Sequence, residues 1–567
     1  MTLAVDGLSA RRSILLVGSD DRGALAATRA LGARGHRVSI VRFTPRTTAA
    51  GQSRYCSESM FLGEPAAGVR AFLDRLHDLV RAGRYDALLP VDDVALELVA
   101  SDYAAISSHC RVMGPSPASY ARVRDHRDAS ALARESGLLL PETQRVDRND
   151  DGRITPHFPC VVRPVVACDI VDDEPRLFSV RLVRTADELD AKLRDDLPRG
   201  DVLIEYPGAG EGLGLGVCAL DGEVLGACLA VRLHERRRGG ESSYSRLEVM
   251  PPGLLAIARD MARKTAWTGF MTIACRREGD RVTFTGLKAH PTSDVALALR
   301  GGLNLPALLA DALEGKQATA AAEPQRAIHL RDVRRDLAWI AETGRTSGRK
   351  AILPWLASFA RVATGSERFE LEQVSDLRPA AHELASAARA LGGRLARRLP
   401  WRTGQGATQR VVHPRVTKSS ALLVVCQGNI NRSVVAEHLL KARGFTRVRS
   451  AGLLAMSGRR ASAHAERFIG DRIGGDISTH RSASVAHGLR EMGEPDLVVC
   501  FEERHALELA ERFPALAGRI CRLGEFADRA ARDIADPHGK RPEDYLSCFR
   551  EIDEIIDQVA AGADATK

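Results

Sequence analysis

Aromatic side chains make up only 5% of the 567 residues, and no apolar stretch runs uncharged for the ~18 residues a membrane-spanning helix needs. Residues 1–12 lack the apolar core of a secretory signal, so the expected address is the cytoplasm, with no membrane span. Eleven cysteines, an odd number, are scattered with no CxxC pair and no clustered His/Cys spacing, which argues against a disulfide framework and a structural zinc site. Charge of one sign is also scarce: 81 Lys+Arg against 73 Asp+Glu leaves an excess of eight, too diluted to mark a nucleic-acid binder. No GxGxxG follows the first apolar run, and the glycine-rich Gly208–Gly216 lacks a GK[ST] ending, so neither a dinucleotide fingerprint nor a phosphate loop is present there.

What is there is a chain able to bury several cores, with 44% hydrophobic and 27% charged residues over a length that asks for about three to five domains. SILLVGS from Ser13, a helical pattern from Ala24 to Arg34 and a strand at Val38 to Val41 open a βαβ alternation. It continues through Tyr85 to Val91 and predicts an open parallel α/β layer over 13–120. FPCVVRPVV (Phe158 to Val166) and VLIEY (Val202 to Tyr206) read as strands, and Gly208–Gly216 as a loop at a strand edge. Arg236, Arg237 and Arg238 precede two glycines and read as a solvated lid. Within Ala380 to Ser420, Arg389, Arg394, Arg397, Arg398 and Arg402 follow one another with no acid among them, as a helix end and a flexible tether require.

The residues that carry chemistry come next. Ala421–Val425 is a continuous apolar run, as in a parallel strand buried on both faces. It leads into Cys426-Gln427-Gly428-Asn429-Ile430-Asn431-Arg432-Ser433 and then a helical VVAEHLLKARG ending at Gly444. A cysteine at a strand's carboxyl end, five loop residues and an arginine at a helix amino terminus make an anion cradle, because loop N–H groups converge and the helix dipole adds positive potential. The same field favours a thiolate nucleophile, Arg432 presents a planar fork to two phosphoryl oxygens, and Ser433 supplies a hydroxyl to the sulfur.

In this setting C-x5-R-S resembles the low-molecular-weight protein-tyrosine phosphatase family, over about 420–560. Ser450-Ala451-Gly452, His480-Arg481, a strand from Asp496 to Phe501, Asp536-Pro537 and a helix from Pro542 to Val559 follow in matching order. The resemblance implies a nucleophile (Cys426), a phosphate clamp (Arg432) and a general acid/base (Asp536, aimed by Pro537). It further implies phosphate-binding positions at Gln427, Gly428, Asn429, Ile430, Asn431 and Ser433, a supporting network of Asn429, Ser450 and His480, and no cofactor or metal. Three departures stand out. The family's second loop cysteine is Asn431; its wall aromatic after Ser-Ala-Gly matches Met456; and the aromatics after Asp-Pro match His538 and Gly539. Ile430 stands where relatives acting on phosphoarginine carry threonine, which leans toward phosphotyrosine. Arsenate reduction is an alternative on this fold, its resolving thiol drawn from Cys500, Cys521 or Cys548.

The order of pieces from 13 to about 380 resembles the ATP-grasp superfamily, including Asp376-Leu377-Arg378-Pro379 as its closing segment. That implies a pre-grasp α/β domain over 13–120, a grasp-like region over 121–315, a helical tail over 316–400, a 401–419 linker to the phosphatase-like 420–560, and an amino-terminal tail at 1–12. An ATP-grasp site needs two lysines on the phosphates and carboxylates on magnesium. Here the motif-matched residues are His126 and Arg163 for the lysines, and Ala274 and Lys288-Ala289-His290-Pro291-Thr292 for the acidic positions. Candidate nucleotide contacts are Arg163, Glu205 and Tyr206, the last two in the hinge Glu205-Tyr206-Pro207. The expectation is therefore an α/β multidomain chain: a phosphatase acting on phosphotyrosine proteins, fused to a grasp-like module that is non-catalytic or regulatory, in surface-polysaccharide control by analogy. The alternatives are a bifunctional ATP-dependent carboxylate-amine ligase, and phosphoarginine or arsenate chemistry at the carboxyl-terminal domain.

Overall fold

A computed structural model describes residues 11–19, 22–147, 156–171, 173–197, 200–206, 208, 210–235, 242–316, 321–347, 349–396, 416–455, 458–527 and 533–564. The chain forms two compact units, one of Met1–Asp190 with Gly200–Arg398 and one of Ala191–Arg199 with Leu399–Lys567. Arg236–Arg238, Pro207, Met456 and residues 401–415 of the expected linker lie outside the described residues.

The first unit opens as the alternation predicts. Strands β1 (Ser13–Val17), β2 (Arg37–Arg42), β3 (Cys56–Phe61), β4 (Ala87–Pro90) and β5 (Arg111–Val112) make a parallel sheet of order β3-β2-β1-β4-β5. Its central strands are buried on both faces, which is why their sequences are nearly all apolar. Next come β6 (Glu142–Val146), β7 (Cys160–Pro164), β8 (Cys168–Val171), β9 (Glu174–Leu177), β10 (Arg181–Val183) and β11 (Val202–Tyr206). β10-β7-β11-β6 form an antiparallel sheet and β8-β9 a separate ribbon.

The larger sheet of this unit consists of β12 (Glu211–Leu220), β13 (Glu223–His234), β14 (Tyr244–Glu248), β15 (Gly269–Glu278), β16 (Arg281–Lys288), β17 (Ile328–Arg331) and β18 (Glu367–Phe369), ordered β16-β15-β12-β13-β14-β17-β18. It corrects the reading of the glycine-rich run: all but its first residues lie inside β12, a central strand paired to both β13 and β15. The glycines alternate with Leu213, Leu215 and Val217, so one face packs into the core while the other is kept bare. A Cβ on Gly214 would come within 2.6 Å of the Asp294 carboxylate, and one on Gly216 within 3.1 Å of Cys228 Sγ. Alternating glycine signals flexibility in a sequence, whereas here it makes room for side chains crossing the strand.

Asp376, in the closing segment the sequence singled out, ties the end of this unit to its beginning. Its Oδ2 accepts from Arg29 Nε at 2.9 Å and Ser53 Oγ at 2.6 Å, and its Oδ1 from Arg54 N at 2.9 Å. Arg29 also donates to the carbonyls of Glu370, Leu371 and Asp376.

The second unit is built on β19 (Ala421–Cys426), β20 (Arg447–Gly452), β21 (Leu497–Cys500) and β22 (Ile520–Arg522), a parallel sheet of order β20-β19-β21-β22. Helices Arg432–Ala442, Ala463–Ile473 and Pro542–Asp564 close one side over Val424, Val434, Phe445, Phe549 and Ile552. The last of them runs beyond the Val559 at which the sequence placed its end. Helices Val485–Met492 and Glu503–Arg512 close the other side over Leu423, Val425 and Leu509. Among the described residues of the whole chain no single helix is long and apolar enough to cross a membrane.

Candidate active site

All four strands of the second unit's sheet run the same way, so their carboxyl ends share one edge, where ligands of such sheets bind. β19 delivers Cys426 there, fully inside the core, and the chain turns through the loop into the helix that starts at Arg432. The turn needs a left-handed residue, and Asn429 takes it at φ 53°, a conformation asparagine tolerates better than most. Every polar group of Asn429 is then used. Its N–H donates to Cys426 Sγ at 3.3 Å, and its Nδ2 donates to Ser433 Oγ at 3.0 Å and to Ser450 Oγ at 2.8 Å. Its Oδ1 accepts from Ala483 N at 2.8 Å, and its carbonyl accepts from His480 Nε2 at 2.9 Å. Ser450 reaches the loop because Gly452, two residues on in β20, lets the loop lie against the strand; a Cβ there would stand 2.9 Å from Asn429 N.

Ser433 Oγ lies 3.1 Å from Cys426 Sγ. Because Asn429 Nδ2 already donates to that oxygen, the hydroxyl proton is free to point at sulfur. Two donors, Asn429 N–H and Ser433 O–H, thus converge on the sulfur beside a helix amino terminus, an environment for a negative nucleophile. His480 carries the network's outer end; burial pushes its imidazole below the ordinary range, partly offset by the bond to the Asn429 carbonyl.

Arg432 is wholly buried. Its Nη1 donates to Glu502 Oε1 at 2.7 Å and to the Ile534 carbonyl at 2.8 Å. Its Nε and Nη2 make no hydrogen bond among the described residues, although Nη2 lies 2.9 Å from Asp536 Oδ2 as an ion pair. One edge of the guanidinium is thus hydrogen-bonded to protein, while the other carries only the ion pair with Asp536. Asp536, less buried than Arg432, also accepts from His538 N at 3.2 Å, and the carbonyl of Pro537 accepts from Lys540 N at 3.0 Å, which shapes the turn that presents the carboxylate.

The remaining loop residues are held mainly through their backbone. Carbonyls of Cys426 and Gln427 accept from Leu453 and Leu454, and Ile430 is buried with its carbonyl held by Ser462 N. A Cβ added at Gly428 would meet only Ile430, at 3.7 Å. Asn431, at the position of the family's second cysteine, accepts from Ser462 Oγ at 2.5 Å, which fastens the loop to the first turn of helix Ala463–Ile473.

Sequence reasoning missed Glu502 and His505. Glu502 follows β21 as Cys426 ends β19, so its place on the shared edge was the available signal. Burial pushes its carboxyl up, but Arg504 and Arg432 outweigh that and hold it at about 2. His505 is completely buried with neither ring nitrogen hydrogen-bonded among the described residues, and burial followed by Arg432 pushes it down to about 4. The thiols considered as resolving partners are buried: Cys500 and Cys548 are each pushed up to about 12, and Cys521 well above its ordinary range, all by burial first.

In the first unit, two of the candidate nucleotide residues, Arg163 and Glu205, are engaged with each other. Glu205 accepts from His126 Nε2 at 2.7 Å and pairs with Arg163 Nε at 2.7 Å, while Arg163 Nη2 reaches the Thr285 carbonyl on β16 at 2.5 Å. Arg163 therefore bridges the antiparallel sheet to the larger one, and His126 stacks on Phe284 at 5.6 Å. Tyr206 stacks on His157 at 3.6 Å. At the acidic positions, Lys288 Nζ lies 2.6 Å and His290 Nε2 3.5 Å from the carboxylate of Asp93. Burial pushes Asp93 up, yet His290 and Lys288 hold it well below the usual carboxylate range. A lysine and a histidine hold these positions around a single carboxylate, and the arginine fork is committed, so these residues do not fit a magnesium nucleotide.

Residues 421–566 match the model of the low molecular weight phosphotyrosine protein phosphatase family. A probable low molecular weight protein-tyrosine-phosphatase of Ralstonia nicotianae, EpsP, is 37% identical over 145 residues, covering 25% of this chain and 91% of that protein. The protein-arginine-phosphatase of Geobacillus stearothermophilus is 31% identical over 141 residues, covering 24% of this chain and 93% of that protein. The crystal structure of an L-amino acid ligase from Bacillus licheniformis aligns with 57% of this chain and 80% of its own, at 15% identity and a TM-score of 0.44.

Proposed function

From the premise that this chain, through residues 421–566, belongs to the low molecular weight phosphotyrosine protein phosphatase family, we propose that it dephosphorylates tyrosine in proteins through a phosphocysteine intermediate. The observation that carries this reading is Cys426 Sγ with its two hydrogen-bond donors, close enough to act electrostatically on the buried Arg432, whose Nε and Nη2 make no hydrogen bond among the described residues. Cys426 attacks phosphorus in line, and loop amides and Arg432 stabilise charge on the equatorial oxygens. Asp536 protonates the departing phenolate and then takes a proton from the water that cleaves the phosphocysteine. The phosphate displaces Asp536 from Nη2 of Arg432, which frees the carboxylate for the leaving group. No cofactor enters these steps.

Tyrosine is favoured over arginine by apolar Ile430 in the loop and by the resemblance to EpsP; the similarity to an arginine phosphatase makes phosphoarginine the competing substrate. Side-by-side hydrolysis of phosphotyrosine and phosphoarginine proteins by the full chain tests this. A higher kcat/KM on phosphoarginine would overturn the choice of substrate while leaving the mechanism intact.

The first unit is read as an ATP-grasp-like module that runs no ligase chemistry. The support is its order of sheets together with the committed Arg163–Glu205–His126 cluster and the Lys288 and His290 side chains at the positions where magnesium ligands would be needed.

A further inference from the structure

The turn that carries the general acid is held from behind by side chains that the catalytic steps leave unused. Before substrate arrives the Asp536 carboxylate has two partners, Arg432 Nη2 at 2.9 Å and the His538 N–H at 3.2 Å. Phosphate takes the first away, and the second belongs to the same turn and moves with it. The aim of the freed carboxylate therefore depends on what grips the turn from outside.

Two such grips come from helix Pro542–Asp564. Tyr545 Oη accepts from Gly539 N at 3.0 Å, and Cys548 Sγ donates to the Ala535 carbonyl at 3.5 Å. Tyr545 and Cys548 stand at i and i+3 and so share a helix face, and their contacts bracket Asp536, Pro537 and His538 from both sides. The two sides are not equally in need of a grip. A thiol is a weak donor, but on its side Ile534 is already fixed, its N–H donating to the Phe501 carbonyl at 2.8 Å and its carbonyl accepting from Arg432. On the other side Gly539 is exposed and left-handed at φ 74°, a backbone free to swing, and the Tyr545 hydroxyl reaches back to its amide.

Tyr545 is itself a fixed post. Its ring is buried, stacks on His464 at 4.3 Å and meets Phe549 edge-on at 6.1 Å. His464 lies in the first turn of helix Ala463–Ile473, whose capping residue Ser462 donates to Asn431 Oδ1 at 2.5 Å. The helix that fastens the phosphate loop thus also seats the tyrosine, and cradle and acid turn are referred to the same pair of helices. Burial pushes the Tyr545 phenol up, the bond from Gly539 offsets part of that and the Asp536 charge adds to the rise, so the hydroxyl stays neutral within electrostatic reach of the carboxylate.

We propose that Tyr545 is a positioning residue for the reaction: its hydroxyl, through the Gly539 amide, holds the acid turn so that Asp536 meets the leaving-group oxygen once phosphate has displaced it from Arg432. The proposal rests on the phosphatase reading and adds to it a residue outside the cradle and the acid turn.

The test is kcat/KM of the full chain for a series of aryl phosphates with increasingly basic leaving groups, measured for wild type, Tyr545→Phe, Asp536→Asn and the double variant. Phenylalanine keeps the stack on His464 and removes only the hydroxyl. Tyr545→Phe is expected to lose roughly three- to tenfold for the most basic phenolates and less than about twofold for the least basic. Inhibition by inorganic phosphate should stay within about twofold of wild type, since the cradle is untouched. In the Asp536→Asn background the hydroxyl has no acid left to aim, so the double variant should match Asp536→Asn within about twofold across the series. An equal loss for every leaving group, no loss at all, or a further loss in the Asp536→Asn background overturns the proposal. The last outcome also exposes a variant that folds poorly, because impaired folding lowers both backgrounds alike. A wild-type chain that hydrolyses no aryl phosphate would instead overturn the phosphatase reading, and this one with it.

Discussion

Glu502→Gln isolates a residue that the local motif does not contain. In the wild-type chain the Glu502 carboxyl titrates at about 2 instead of the ordinary 4.5, because Arg504 and Arg432 together outweigh its burial. At ~1.4 kcal/mol per pKa unit the shift corresponds to about 3 kcal/mol, and solvent screening at the Arg504 edge brings that to about 2. The depressed pKa means this contribution is complete above the unfolded value near 4.5 and is lost as pH falls towards 2. Glutamine should therefore weaken the second unit by about 2 kcal/mol near pH 7 and remove its share of acid sensitivity below about pH 4.5. Catalysis should suffer as well. Glutamine still accepts one hydrogen bond from Arg432 Nη1 but no longer balances its charge, so Arg432 leans towards Asp536 and away from phosphate. A fall of ~10–10² in kcat/KM for an aryl phosphate is expected, with weaker inhibition by inorganic phosphate in step. Glu502→Ala, which leaves a buried guanidinium short of a counter-charge, should lose about 3–5 kcal/mol of stability. Residual hydrolysis through a urea titration, near pH 7 and again at about pH 4, reads both effects. A kcat/KM within about twofold of wild type would refute the reasoning and show that the Ile534 carbonyl and the loop alone hold Arg432 in place.

Cys426→Ser should abolish aryl-phosphate hydrolysis yet retain phosphate binding, since the amides and Arg432 remain; more than trace turnover would exclude a phosphocysteine. Asp536→Asn should slow substrates with poor leaving groups by ~10²–10⁴ and good ones much less, and equal losses across a leaving-group series would give Asp536 a purely structural role. Calorimetry of the full chain with ATP should show no strengthening by magnesium, because Lys288 and His290 flank Asp93 where an anionic pocket is needed; a magnesium-strengthened affinity would promote the ligase alternative. Peroxide should inactivate the phosphatase irreversibly on prolonged exposure, as Asn431 offers no thiol to trap a sulfenic acid; Asn431→Cys should restore recovery by dithiothreitol, and a Cys426 disulfide found in the peroxide-treated wild-type chain would contradict this.

The cradle was legible because its chemistry is local. Cys426, Arg432 and Ser433 lie within eight residues, between the end of an apolar strand and the first turn of a helix. Asn429, Ser450 and His480 could be named from the family order, and the hydrogen bonds place them together. Glu502 was not legible: it meets Arg432 across 70 residues, and an acid after an apolar strand is an ordinary thing to find at the surface. The same distance problem hid the first unit's cluster, in which His126 and Glu205 stand 79 residues apart. Local pattern failed outright only at Gly212, Gly214 and Gly216, where a period of two was present but glycine composition outweighed it.

The bond between Arg29 and Asp376 also sets a schedule. These partners are 347 residues apart, so a ribosome adding ~5–20 residues per second needs about 17–70 seconds between making the one and making the other. Through that interval the first parallel layer exists without the carboxylate that fixes its Arg29, and long-range closure of this kind is slow to form. The phosphatase unit's sheet, by contrast, is drawn from one contiguous stretch, Ala421 to Arg522, that leaves the ribosome only after the closing segment has been made. During synthesis, then, the earlier unit can be complete before the catalytic sheet begins to assemble, and a chain truncated shortly before Asp376 should be a substrate for proteases and chaperones rather than a folded fragment.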